Sequence, residues 1–166
     1  MNRILKYSIV MVFVAALAFV LVVYFKGNEK KKIKKQFAKL TEYVSKQPKE
    51  GNISMVFKTQ SMSSLFADSC EIEIPGTPLT GNYSPEEISS NVARAKMHFS
   101  SISLNIYDIE VEIADENHAS AVFTASFKAS SKNREAEETR EISSSLVKVE
   151  GKWKFSGFKL VEVLEK

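Results

Sequence analysis

Cysteine and histidine are scarce in this chain, with one Cys and two His in 166 residues. A single thiol excludes an intramolecular disulfide, a CxxC redox pair and a multi-cysteine zinc site, so Cys70 reads as a small core residue. With only His98 and His118 beside it, neither a metal centre nor a cofactor is expected. Internal repeats and long low-complexity stretches are lacking. So is nucleophile chemistry, because Ser143-Ser144-Ser145 has no partnered His/Asp spacing. Acidic residues are nearly missing from positions 1–39, which hold nine Lys/Arg against one Glu. Positions 40–166 hold 14 Lys/Arg against 19 Asp/Glu, so the whole-chain charge of +3 hides an acidic domain. Such a domain offers no basic face to nucleic acid, and none is expected as a partner.

What the N-terminus has instead is one apolar run. Tyr7–Phe25 is 19 residues without a formal charge, close to the roughly 20 needed for a helix to cross a bilayer. Ala15, Ala16 and Ala18 offer small residues for cleavage, but Phe19–Phe25 carries the apolar run past them. An uncleaved signal-anchor is therefore expected, with a cleaved signal peptide as the alternative. Tyr7 and Tyr24 suit the interfacial aromatic belt. Orientation is contested: the lysines after the span favour a cytoplasmic domain, whereas Arg3, Lys6 and the terminal amine resist translocation of the tail. The reading leans to an exported (extracytoplasmic) domain on a single-pass membrane protein. Lys30, Lys31, Lys32, Lys34 and Lys35 would then lie at the membrane surface, where anionic lipid attracts them, or simply form a solvated helix face. The chain divides into a short basic tail (1–6), the transmembrane anchor (7–25), a basic juxtamembrane segment (26–32) and one domain (33–166).

Periodicity supplies the elements of that domain. Ile33, Phe37, Leu40 and Val44 recur at helical spacing, so 29–47 reads as an amphipathic helix that Pro48 stops, with Gly27-Asn28 as a hinge to the anchor. A second helix fits 53–66, with Val56, Phe57, Leu65 and Phe66 as its apolar residues. Cys70–Ile74 alternates as a short strand. Ser84-Pro85-Glu86-Glu87 announces a helix with a capping box and proline at its first position, burying Ile88, Val92, Ala95 and Phe99. From residue 102 the period becomes two. Ile102, Leu104 and Ile106 alternate, then Ile109, Val111 and Ile113 do so in the opposite phase, which predicts a bulge at Tyr107-Asp108. A turn at Asp115–His118 leads to a strand with Ala121, Phe123, Ala125, Phe127 and Ala129 on one face. A strand over 135–149, a hairpin turn at Glu150-Gly151 and a strand over 152–163 close the sheet.

The fold class is thus α+β. The order helix, helix, strand, helix, four strands carries Leu65-Phe66-Ala67-Asp68 into Glu71-Ile72-Glu73-Ile74-Pro75-Gly76. Near its end comes Gly151-Lys152-Trp153-Lys154-Phe155. Over about residues 30–166 this resembles the nuclear transport factor 2-like (NTF2-like) superfamily. Its ketosteroid isomerase and polyketide cyclase branches carry similar segments between the second helix and first strand. The resemblance implies a cone of helices wrapped by a curved antiparallel sheet, a cavity at the open end, and homodimers through the sheet. It also implies where chemistry would sit. The isomerase branch has a general-base aspartate just before the proline, where this chain has Ile74. It has an oxyanion-stabilising tyrosine on the first helix, near Phe37 here, and a protonated aspartate near Ser143–Ser145. Without an acceptor for the proton, isomerase chemistry of that kind is not expected.

Four side chains remain as cavity candidates: Asp68, Tyr83, His98 and Ser144. Each has a plainer alternative. Asp68 can close the turn after the second helix, His98 can sit partly exposed at a helix C-terminus, and Tyr83 can border the core. The resulting expectation is a single-span, membrane-anchored module of non-catalytic binding or assembly role. Its partners would be the lipid bilayer, a second copy, or a protein of a membrane complex. Scaffold subunits of type IV secretion inner-membrane complexes have similar architecture. The alternative is a binding protein for a small apolar ligand, or a divergent isomerase or cyclase using the cone.

Overall fold

The computed structural model describes residues 25–75, 80–132 and 134–161. Helix α1 covers residues 25–44 and α2 Asn52–Ser63; strands β1 (Phe66–Glu73) and β2 (Gly81–Tyr83) follow, then helix α3 (Pro85–His98). Strands β3 (Ser101–Ile113), β4 (His118–Ser131), β5 (Arg134–Val149) and β6 (Lys152–Leu160) complete the domain. One six-stranded sheet has the order β2-β1-β6-β5-β4-β3, antiparallel except where β1 runs parallel to β6. The sheet curves, and the helices bury Ile33, Phe37, Leu40, Met62 and Ile88 with Phe123, Leu146, Trp153 and Phe155 in one core.

Local rules set the strongest elements. The Ser84 hydroxyl accepts from the Glu87 N–H at 3.2 Å, and the Glu87 carboxylate accepts from the Ser84 N–H at 2.8 Å, so α3 opens on the expected capping box with Pro85 inside it. The phase slip in β3 is a bulge: Tyr107 pairs with Thr124, but Glu110 pairs with Val122, and Asp108 takes a φ of 53°. That extra residue returns Ile109, Val111 and Ile113 to the face already holding Ile102, Leu104 and Ile106. Asp115 accepts from the N–H groups of Asn117 and His118 at 2.7 and 2.8 Å and closes the β3–β4 turn. Glu150 (φ 50°) and Gly151 (φ 75°) form the tight β5–β6 turn. A second bulge lies at Ser156, where β6 shifts register against β5. Beside it Gly157 lets β1 approach, since a Cβ there would meet the Glu71 carbonyl oxygen at 3.4 Å.

Three expectations need correction, and two features were not anticipated. Helix α1 runs unbroken through Gly27-Asn28, so the described chain has no hinge there. It ends at residue 44, before Pro48, because the Lys46 backbone pairs with Ile102 instead (N–H···O 2.7 and 3.0 Å). Helix α2 stops at Ser63, and Phe66 belongs to β1, which is longer than the alternation over Cys70–Ile74 suggested. Val56 and Phe57, apolar residues of this helix, are exposed. Strand β2 was not foreseen; three residues with a single apolar side chain carry no periodic signal. The span expected over Tyr7–Phe25 lies outside the described residues except for Phe25, as does Val163. Among the described residues no helix is long and apolar enough to cross a membrane.

Candidate functional site

Three places in this fold could do something: the concave face of the sheet, the seam between α2 and α3, and the two ends of α1. On the concave face, Phe37 of α1 sets its ring edge-on to Phe123 at 4.8 Å and to Phe155 at 5.0 Å, and Phe66 and Phe158 extend the aromatic cluster. Phe37 is thus an apolar ring in a packed aromatic cluster and brings no hydroxyl to this face. Ile74 follows the end of β1 and is half-buried. Ser144 is buried on β5 between Ala121 and Phe158, and its hydroxyl donates to the Ser145 carbonyl at 3.5 Å.

The four cavity candidates are not gathered into one site. Tyr83 stands opposite Cys70 on β2 and packs on the core. Three strand spacings, about 14 Å, separate it from Ser144. Asp68 is exposed, in the stretch of β1 where the register against β6 shifts. His98 is exposed at the end of α3, with its ring edge-on to Phe99 at 5.1 Å. Among the described residues, no three His, Cys, Asp or Glu side chains come together as metal ligands. Burial alone pushes the Cys70 thiol up to about 12, so it stays protonated at neutral pH.

The seam between α2 and α3 holds what the sequence reading missed. Lys96 is 0% exposed, and its Nζ has no hydrogen-bond partner among the described residues. Facing it is Glu50, in the loop before α2, whose Oε1 takes a 2.5 Å ion pair from Lys58 and a 2.9 Å hydrogen bond from Ser54. Glu50 Oε2 and the buried Ser89 hydroxyl are also unpartnered there. Burial is the largest influence on Lys96 and pushes its ammonium below the ordinary lysine range; Glu50 opposes this, while Lys58 and Lys46 add to it. Burial also works to raise Glu50, but the Lys58 and Ser54 hydrogen bonds and the nearby lysine charges outweigh it and hold the carboxyl low. The signal was in the sequence. Lys96 falls four residues after Val92 and seven after Ser89, on the stripe that Ile88 begins, so a lysine occupied an inward helical position.

At the same end of α3 lies a groove of about 550 Å³ lined by Lys46, His98, Lys132 and Arg134 with Met97 and Phe99, and by no acidic side chain. Lys46 itself is committed, donating to the Lys96 and Phe99 carbonyls at 2.5 and 2.7 Å.

The other end of α1 is latched to the sheet. Glu29 accepts from the Trp153 indole N–H at 2.7 Å, pairs with Lys148 at 2.6 Å and with Lys32 at 2.7 Å. Lys148 also lies 4.8 Å over the Trp153 ring, and Gln36 donates to the Trp153 carbonyl at 2.8 Å. Burial would raise the Glu29 carboxyl, yet the hydrogen bonds from Lys148, Lys32 and Trp153 prevail and lower it to about 2. Two surface clefts flank this first turn of α1. One, of about 420 Å³, is lined by Lys26, Lys30 and β3–β4 residues; the other, of about 480 Å³, by Phe25, Lys26, Ile113, Asp115 and Glu116. Lys30, Lys31, Lys34 and Lys35 are exposed along the outer side of the helix, as is Lys32 beside Glu29.

No protein-family model matches the chain, and no curated protein matches it. Solved structures do. A proposed scytalone dehydratase from Novosphingobium aromaticivorans superposes with a TM-score of 0.62 at 15% identity, covering 82% of this chain and 85% of that one. An NTF2-like protein with a cystatin-like fold from the same organism gives 0.61 at 12%, over 88% and 90%. A type 2 hexachlorocyclohexane dehydrochlorinase gives 0.61 at 13%, over 82% and 86%. At such identities the likeness shows the fold alone: the domain has the α+β, cystatin-like fold of NTF2-like proteins.

Proposed function

We propose that this chain is a non-catalytic binding or assembly module, held at a membrane by Tyr7–Phe25 with its domain on the exported side. The observation that carries the reading is the packing of Phe37 edge-on to Phe123 and Phe155, which puts an apolar ring near where the resemblance implies an oxyanion donor, as it implies a base where this chain has Ile74. The latch adds to it. Helix α1 is already helical at residue 25, where the expected span ends, and Glu29 ties it to the β5–β6 hairpin. An anchor continuous with α1 would transmit its orientation to the whole domain. Exposed Lys30, Lys31, Lys34 and Lys35 then favour anionic headgroups, each worth on the order of 1 kcal/mol close to the surface.

A second reading, a small-molecule cavity or divergent enzyme, is favoured by one observation, the buried amine of Lys96 against Glu50. A lysine held below its ordinary range can act as base or nucleophile, and relatives in fold are named for dehydration and dehydrochlorination. Native mass spectrometry of the full-length protein from gentle detergent separates the two. A clean protein mass, alone or with a polypeptide, is expected. A reproducible small adduct that disappears in Lys96→Met would overturn the non-catalytic reading.

A further inference from the structure

Lys58, Lys128, Arg140, Lys148 and Lys159 each hold a carboxylate. Lys46, Lys132 and Arg134 hold none among the described residues, and all three line the groove of about 550 Å³ at the end of α3. Separate parts of the chain bring them there: Lys46 follows α1, and Lys132 and Arg134 belong to the β4–β5 turn. The walls are fixed by hydrogen bonds. On one side the Lys46 ammonium donates to the Lys96 and Phe99 carbonyls, which offsets the negative end of the α3 dipole. On the other side the Ser100 N–H and hydroxyl both donate to the Ser130 carbonyl at 2.8 Å. An ammonium carries three N–H groups, so Lys46 keeps one uncommitted. Met97, 70% exposed, and half-buried Phe99 set apolar surface beside the cations.

We infer that this groove docks an acidic segment of a partner protein, its carboxylates on Lys46, Lys132 and Arg134 and an apolar side chain against Met97 and Phe99. The inference deepens the assembly reading and rests on it for the kind of partner. Charge selects the occupant. Three cations with no acidic side chain among the lining residues attract carboxylates and repel a basic segment. Arg134, exposed at the mouth, offers a carboxylate two parallel N–H donors. A long polyanion such as nucleic acid would leave the groove onto a domain whose acidic residues outnumber its basic ones. Lipid of the anchoring bilayer lies at the opposite end of α1. That helix covers residues 25–44, which at about 1.5 Å per residue sets Lys46 roughly 30 Å from Phe25. A single phosphate would meet long exposed arms rather than a closed nest of N–H donors. A peptide segment makes several carboxylate and apolar contacts at once.

The test is fluorescence anisotropy on the full-length protein in gentle detergent, with a labelled peptide of glutamates around one phenylalanine as the probe. Binding is expected, and it should weaken as salt rises. Lys132→Glu combined with Arg134→Glu should weaken it at least tenfold while the Trp153 emission stays native. Lys152→Glu combined with Lys154→Glu, the same change of charge on β6, should bind as wild type does. A probe with serine in place of phenylalanine should bind wild type more weakly. Equal loss in the two double variants would reduce the effect to net charge and overturn the inference. Failure of the probe to bind wild type would overturn it too. Displacement of the probe by equimolar inorganic phosphate or short-chain phosphatidylglycerol would do the same, making the groove a small-anion or lipid site. The assembly reading fails separately, on a small adduct at Lys96 in the mass spectrum, and the anisotropy then still decides whether the groove takes an acidic segment.

Discussion

The Glu29→Gln substitution isolates the joint between α1 and the sheet. It keeps the shape and one acceptor oxygen but removes the charge that Lys148, Lys32 and the Trp153 indole converge on. The magnitude follows from proton affinity. A carboxyl that titrates near 4.5 in the unfolded chain and at about 2 when folded is stabilised by up to ~3.5 kcal/mol, at about 1.4 kcal/mol for each tenfold change. The carboxylate keeps some contact with water, so screening reduces this to an expected loss of about 1–2 kcal/mol. For a domain of this size that lowers Tm by roughly 3–10 °C.

The pH dependence makes the prediction specific. The folded pKa lies below the unfolded one, so the contribution is fully present above about 4.5 and is lost as pH falls from there to about 2. Thermal unfolding of the full chain in detergent, followed by the emission of Trp153, the sole tryptophan, should show wild type and Glu29→Gln well apart at pH 7. They should converge as the pH approaches 2. A gap that stays constant from pH 7 to 2.5 would show that the loss is one of shape rather than charge and would refute the reasoning. No gap at pH 7 would refute it outright.

Three other outcomes follow from the packing. Phe37→Ala, which removes a fully buried ring at the centre of the aromatic cluster, should cost about 3–5 kcal/mol in urea unfolding. Ser84→Ala removes the hydroxyl that caps α3 and should cost about 1 kcal/mol, while Ser84→Asp should restore most of it. Cys70, buried and with its thiol raised to about 12, should resist aromatic disulfide reagents at pH 8 until the domain unfolds, then react once per chain.

Much of the fold could be read because alternation and capping are local. The bulge at Tyr107-Asp108, the capping box at Ser84 and the turn at Glu150-Gly151 each follow from a few neighbouring residues. The parallel pairing of β1 with β6 joins Phe66 to Phe155, 89 positions apart, and no local pattern encodes it. Helix α2 misleads for a different reason. Its apolar stripe is helical in period, and period says which residues share a face but not which way that face points. The candidate site was legible only in part. Ser144 is buried on β5 and Tyr83 borders the core from β2, a strand with no periodic signal, whereas Lys96 was hidden because a charged side chain does not read as inward even where its position in the stripe is.

The inverted α2 and the buried Lys96 are one fact seen from two sides. The polar contact that the inner face of α2 makes is the ion pair of Lys58 with Glu50, and Ser89 and Lys96 sit unpartnered beside it among the described residues. Lys96→Met tests this, because it replaces an unpartnered buried ammonium by an apolar chain of similar length. It should raise stability at pH 7 by about 1–3 kcal/mol, since removing a buried charge without a hydrogen-bond partner recovers its desolvation penalty. The sign with pH is fixed. A lysine whose folded pKa lies below the unfolded value of about 10.5 penalises the fold wherever both states are charged. The penalty fades as pH rises through the folded pKa towards 10.5. The advantage of Lys96→Met should therefore be largest on the acid side and shrink as pH rises through the folded pKa towards 10.5. A variant less stable than wild type at pH 7 would mean that the amine is held by Glu50 more strongly than burial opposes it. The polar seam would then be what keeps α2 docked, rather than a penalty the fold tolerates.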